Sequence, residues 1–282
     1  MPMKPILSVL LLLSGMLPGP LSGQGEKITG EQLVARHLES IGTKEARSAV
    51  TSRAASGRAS MLIRLGGAAN LEGTGMMAST QDKLRFGMRF TANDYVGEDM
   101  AFDGNQPSTG FQPQGKRSLL SQFLEAQPVI LKEGLIGGVL STAWPLGRMD
   151  KSQPKLDYRG LKKVDEIELH EVSYRAKKGS GDLKITLYFE PQLFRHVKSK
   201  YSYQVGAGIA TREASNANPE IYYSLTEDFG NFRTVDGLNL PHKYKLAYSG
   251  EGRSASSLQE WTLIIDGISH KETIDSRVFT IK

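Results

Sequence analysis

From residue 83 to residue 90 every second side chain is apolar: Leu84, Phe86, Met88 and Phe90 alternate with Lys83, Arg85, Gly87 and Arg89. Successive side chains of an extended chain point to opposite faces, so this spacing builds a strand with one dry face and one wet face, as antiparallel sheets have. Residues 60–65 repeat the period, with Met61, Ile63 and Leu65 on one side. Further strands are expected over residues 94–102, 165–176, 183–190, 194–205, 220–229, 239–248 and 257–268. Asp103, Gly104 and Asn105 suit a turn, Glu190 to Leu193 a tight connection, and Asp236 with Gly237 a hairpin. Residues 206–219 are rich in Gly, Ala and Asn and read as a polar loop.

Two segments break the period. Near the start, Thr29 can cap a helix, Glu31 and Gln32 occupy its first turn, and Leu33, Val34, His37, Leu38 and Ile41 recur at helical spacing before Gly42 stops it. Residues 118–126 are also helical in pattern. Pro128 then restarts the chain, and residues 129–146 form the most apolar stretch after the leader, loosened by Gly134, Gly137 and Gly138 and ended at Pro145. Long antiparallel strands with two helical interruptions predict a mainly β chain with helices (α+β). The expected architecture is a strongly curved antiparallel sheet, an unclosed β-barrel with helices covering its concave side. No repeat or linker divides residues 26–282, so one domain is expected.

The leader sets the expected compartment. Lys4 follows the starting Met, residues 5–13 are apolar, and small and helix-breaking residues fill 17–25, the build of a cleaved secretory signal over residues 1–25. The apolar run is too short to anchor in a bilayer, and no stretch of about 20 apolar residues follows. With no cysteine anywhere, an acylated N-terminal cysteine, disulfides, thiol catalysis and cysteine-rich metal sites are all excluded. A soluble secreted protein without a lipid anchor is therefore expected, and a chain of this length buries enough core to manage without staples.

The charge balance is mild. A net +5 falls to +4 when the leader takes Lys4 with it. Lys162 with Lys163 and Lys177 with Lys178 are the densest basic clusters, better read as solvated strand ends than as a phosphate track, so no nucleic acid is expected. His37, His170, His196, His242 and His270 are scattered, which speaks against a zinc site. Gly179, Ser180 and Gly181 belong to a turn and lack the serine-hydrolase elbow. Asp94, Glu98, Asp99 and Asp103 are the tightest acidic group, but a period of two splits Asp94 and Glu98 from Asp99 and Asp103. Solvated strand residues are the default there, a calcium site or carboxylate dyad the alternative. Neither an enzyme nor a cofactor is expected.

A signal, a capped helix, amphipathic hairpins, an apolar helical insert and more hairpins together resemble the periplasmic LolA/LolB-like lipoprotein-carrier superfamily. Residues 183–198 and 234–244 are the most similar stretches, looking like strand–turn–strand hairpins with basic and aromatic positions on the second strand. The resemblance implies an apolar hollow for acyl chains of lipids or lipoproteins, transient partners at the inner and outer membranes, and a monomer. It also implies an arginine on an early strand tied to the helical lid; Arg58, Arg64, Arg85 and Arg89 all lie in suitable neighbourhoods.

An acyl carrier needs a continuous apolar wall, because each methylene taken from water is worth about 0.8 kcal/mol and a long chain on the order of 10 kcal/mol. Leu84, Phe86, Met88 and Phe90 can supply it together with Tyr244, Leu246, Trp261 and Leu263; Tyr248 and Ile265 extend two of these stripes. Leu135, Ile136, Val139, Leu140 and Trp144 can form the cover, with nearby glycines permitting movement. Such side chains also serve as ordinary core between sheet and helix. The alternative expectation is a cell-envelope interaction or assembly module whose interior is filled by its own side chains and whose strand edges pair with a partner.

Overall fold

Twelve strands form one antiparallel sheet in the computed structural model, which describes residues 28–64, 68–205, 221–251, 256–270 and 272–281. The expected leader, Gly66, Gly67 and the polar loop 206–219 lie outside the described residues. The strands are β1 (Ser52–Arg64), β2 (Ala68–Thr80), β3 (Lys83–Phe90), β4 (Gly97–Phe102), β5 (Pro107–Thr109), β6 (Lys155–Val164), β7 (Ile167–Arg175), β8 (Lys184–Phe189), β9 (His196–Val205), β10 (Ile221–Val235), β11 (Leu238–Glu251) and β12 (Ser256–Ser269). Their spatial order is β5-β4-β3-β2-β1-β12-β11-β10-β9-β8-β7-β6. Two meanders are thus joined where the first strand meets the last, with Ala54 opposite Ser269.

A twisted sheet of this many strands curls rather than staying flat. Register shifts at Ser56/Gly57, Tyr158/Gly160 and Tyr188/Phe189 add local bends. β5 and β6 end up as opposite edges, so the sheet is open and not closed into a barrel. The chain leaving one edge must reach the other, and it does so over the concave face.

That crossing consists of α3 (Leu119–Ala126), α4 (Val129–Lys132), 3-10 turns at Gly138–Leu140 and Pro145–Arg148, and the short α5 (Met149–Ser152). Ser118 caps α3 by accepting from the Ser121 N–H at 3.0 Å. Beyond Pro128 the apolar insert is a series of short turns instead of a continuous helix. Gly134, Gly137 and Gly138 all adopt positive φ, which a helix cannot contain. The helix α1 (Gly30–Ile41) starts with a reciprocal capping box between Thr29 and Gln32, and it buries Leu33, Val34, His37 and Ile41. It is followed by the short α2 (Lys44–Ser48). Among the described residues no helix is long and apolar enough to cross a membrane.

β3, α1 and the β10–β11 hairpin fall where the sequence places them. Asp236 and Gly237, both at positive φ, form the two-residue turn between Val235 and Leu238. Sequence reading misses β2, β5 and β6, and it begins β1 eight residues late.

Candidate functional site

The expected wall and the expected cover meet. Leu84, Phe86, Met88 and Phe90 on β3, Tyr244 and Leu246 on β11, and Trp261 and Leu263 on β12 all face the concave side and are buried. Leu135, Ile136, Val139, Leu140 and Trp144 of the crossing segment, hereafter the lid, belong to the same continuous core. Phe86 meets Tyr244 edge-on at 5.4 Å, and Tyr244 packs on Phe229 at the same distance. Phe86, Leu246 and Leu135 are 0% exposed, which leaves no water-sized gap against them. At these residues the space beneath the lid is occupied by the lid's own side chains.

Polar groups hold the lid down at several points. Glu227 projects from β10 between Leu225 and Phe229, on the dry face. Its carboxylate accepts from the Gly137 N–H of the lid at 2.7 Å, from Tyr244 at 2.7 Å and from Tyr201 at 2.6 Å. The Tyr201 hydroxyl, whose proton goes to Glu227, also lies 3.3 Å from the Leu135 carbonyl. On β2, Ser79 Oγ accepts from the Thr142 N–H at 2.9 Å. Burial raises the Glu227 pKa, and burial beside Glu227 holds both tyrosines well above their usual range.

Arg53 supplies a further tie. It lies on β1, is 6% exposed, and donates from Nη1 to the Val139 carbonyl of the lid. Its Nε has no hydrogen-bond partner among the described residues. Desolvation lowers its pKa to about 10, so it stays charged at neutral pH. The other arginines considered for this role are elsewhere. Arg58 is exposed, 3.6 Å from Asp266, while Arg85 and Arg89 both pair with Asp99 at 2.6 and 2.9 Å. The Arg64 side chain lies outside the described residues.

Of the acidic group only Glu98 and Asp99 lie on β4, where the period of two sets them on opposite faces, and neither is solvated. Glu98 is buried beneath α3, accepting from Tyr95 at 2.7 Å, Ser118 at 2.6 Å and Ser121 at 3.3 Å. Tyr95 in turn accepts from the Trp261 indole N–H at 2.7 Å. Burial pushes the Glu98 pKa up to about 7. Asp99 is buried on the other side in its arginine pair. The sequence-distant His37 and His196 come together under the lid, ring centroids 6.1 Å apart, and Trp144 stacks on His196 at 4.8 Å. Trp144 Nε1 donates to His37 Nε2 at 3.4 Å, while His37 Nδ1 donates to the Phe194 carbonyl at 3.0 Å, which fixes a neutral tautomer. Burial lowers the His37 pKa to about 4 and that of His196 well below its usual value. Among the described residues no three His, Asp or Glu side chains are grouped to hold a metal ion. Ser180 belongs to a turn, where its Oγ accepts from the Ala176 N–H at 3.2 Å.

No protein-family model matches the chain, and no curated protein matches it. Among solved structures, the chain is similar to a domain assigned to the outer membrane lipoprotein-sorting proteins from Vibrio parahaemolyticus. The identity is 10% and the TM-score 0.46, over 87% of this chain and 97% of that one. It is also similar to a LolA superfamily protein from Nitrosomonas europaea at 11% identity and a TM-score of 0.44, covering 90% and 98% of the two chains. A DUF1329 family protein from Desulfovibrio piger matches at 8% identity and a TM-score of 0.38, over 89% and 95%.

Sequence reasoning finds the apolar stripes and misses the ties. Glu227 carries a usable signal, because it interrupts the alternating run Leu225, Glu227, Phe229 on its buried side. Arg53 carries none while β1 is taken to begin at residue 60.

Proposed function

We propose that this protein is a non-catalytic periplasmic carrier that takes an acyl chain of a lipid or lipoprotein between sheet and lid, and that the arrangement described is its closed, unloaded form. Arg53 is the observation that carries this reading. A buried guanidinium costs several kcal/mol of desolvation, and an apolar side chain would pack at least as well against the lid. What the charge adds is a bond that opens when another acceptor replaces the Val139 carbonyl, whereas a purely apolar seal offers no such exchange. On opening, Leu84, Phe86, Met88, Phe90, Tyr244, Leu246, Trp261 and Leu263 become the wall. An acyl chain then takes the place of Leu135, Ile136, Val139, Leu140 and Trp144 against it. The exchange is nearly neutral in buried area, so a partner at either membrane can drive loading or release. Titration of the protein with a fluorescent long-chain fatty acid tests this. Saturable binding is expected, with loading several-fold faster in Arg53→Met; binding by neither protein would refute the carrier.

A second reading draws on the absence of space against Phe86, Leu246 and Leu135. A filled interior suits an envelope assembly module that never opens, with β5 or β6 adding a partner's strand. Native mass spectrometry of protein taken from the periplasm separates the two: lipid adducts favour the carrier, and adduct-free protein the module.

A further inference from the structure

At one end of the lid the packing loosens. A cleft of about 250 Å³ opens where α1, the start of β1 and the 3-10 turn at Pro145–Arg148 meet. Leu38, Ile41 and Leu238 give it apolar lining, and the lid's Val139 and Trp144 line it as well. Arg47, Arg53, Arg148 and Lys151 also line it, and no carboxylate does.

None of these four cations has an ion-pair partner among the described residues, although Glu45 lies in the field of Arg47. Arg47 Nη1 donates to the Leu38 and Gly42 carbonyls, Arg53 Nη1 to Val139, and Arg148 Nη2 to Ala143 at 2.8 Å. Carbonyls carry only partial charge, and among the described residues none of the four stands within 4.0 Å of a carboxylate. Asp82, Glu133 and Asp150 act on Arg148 from outside the lining, and the imidazole of His270 lies in the field of Arg53. The Nε–H groups of Arg53 and Arg148 are buried without partners among the described residues, and Arg53 is more than nine-tenths buried. Unused donors on a buried guanidinium mark an incomplete hydrogen-bond set.

We infer that this cleft seats the anionic head, a carboxylate or phosphate, of an amphiphile whose apolar chain runs past Val139 and Trp144 beneath the lid. The inference rests on the carrier reading and adds the ligand's charge and its polarity along the lid. At about 30 Å³ per water-sized group, the volume holds roughly eight non-hydrogen atoms, enough for a head and the first carbons but not a long chain. An incoming oxyanion competes with the Val139 carbonyl for Nη1 of Arg53, and the buried, unpartnered Nε–H becomes a second donor once that tie loosens. Head binding would then loosen the tie that closes the lid.

The test compares ligands with one chain and different heads, oleate, oleoyl lysophosphatidic acid and neutral monoolein, against the wild-type protein and an Arg148→Gln/Lys151→Gln variant. Both substituted side chains reach solvent, and an unchanged thermal midpoint verifies the fold. Oleate or lysophosphatidic acid is expected to bind at least about tenfold more tightly than monoolein, equivalent to about 1.4 kcal/mol. That preference should collapse in the variant, the charged ligands falling toward the affinity of monoolein. Equal affinity for charged and neutral heads would overturn the head assignment and leave the carrier standing, as would a preference that survives in the variant. No binding of any of the three would overturn both. Inorganic phosphate bound as tightly as the charged lipids would make the cleft a free-anion site and sink the amphiphile.

Discussion

Glu98 shares its strand face with Met100 and Phe102, and all three are buried. Burial raises the Glu98 pKa to about 7, so between its ordinary range and neutrality the folded protein holds a proton that the unfolded chain has released. Stability from this group is complete at low pH and is lost as pH rises toward 7. His37, with its pKa lowered to about 4, works in the opposite sense, and His196 shifts in the same direction as His37. Unfolded imidazoles take protons below about 6.5 that the folded ones refuse, so their stabilisation is complete above that pH and fades as pH falls. Between about pH 5 and about pH 6.5 the two effects oppose each other. Glu98→Gln keeps the shape and removes one side of the balance. Its unfolding free energy in urea is expected to climb with pH more steeply than wild type across that window, by up to about 1.4 kcal/mol per pH unit. Parallel profiles would show that Glu98 does not titrate there. The sequence places His37 on the apolar face of α1, but it does not advertise the burial of Glu98, because a carboxylate on a strand is ordinarily solvated. Only the tertiary roof of Tyr95, Ser118 and Ser121 makes Glu98 an exception.

Within the lid, the conformation of one corner decides how the element sits. Gly137 has φ 80°, gives its N–H to Glu227, and stands so close to β2 that a Cβ would lie 2.7 Å from the Met77 side chain. Gly138 is similarly pressed, its Cβ position 3.0 Å from both His196 and Phe229. These two glycines therefore serve a tight left-handed corner and a close approach. Gly137→Ala is expected to lower stability by roughly 1–2 kcal/mol through the left-handed penalty alone, with the Met77 contact adding to it. Gly147→Ala, at a position with ordinary φ and nothing within 4 Å, is expected to change little. Urea midpoints of the two variants provide the comparison, and equal midpoints would contradict the corner's role. The strands differ in legibility for a related reason. β3 has one wet and one dry face, so its period stands out. β2 fills the gap between β1 and β3 with Gly73, Gly75, Ala78 and Ser79, too small to mark a face. β6 is an edge with only Leu156 buried, so it has no dry face to show. The apolar wall was legible as stripes, whereas the ties from Arg53 and Glu227 depend on which strands the lid crosses.

At the scale of the molecule, most neighbouring strands are local hairpins, but β1 and β12 meet from opposite ends of the chain. Closing that seam costs the entropy of a very long loop, while β10 with β11 costs only a two-residue turn. Pulse-labelling hydrogen exchange during refolding is expected to protect β10–β11 amides before those of β1 and β12. Simultaneous protection would indicate that the two meanders fold as one unit.

The segment spanning the concave face is anchored to the sheet at both rims, through β5 and β6. A strap fastened at two ends cannot swing like a door; it can only bow outward or slacken. Any splaying of the rims pulls it taut, and any tighter curl gives it slack. The width of the sheet and the height of its cover are therefore one mechanical variable, and a force applied to either rim is felt at the middle.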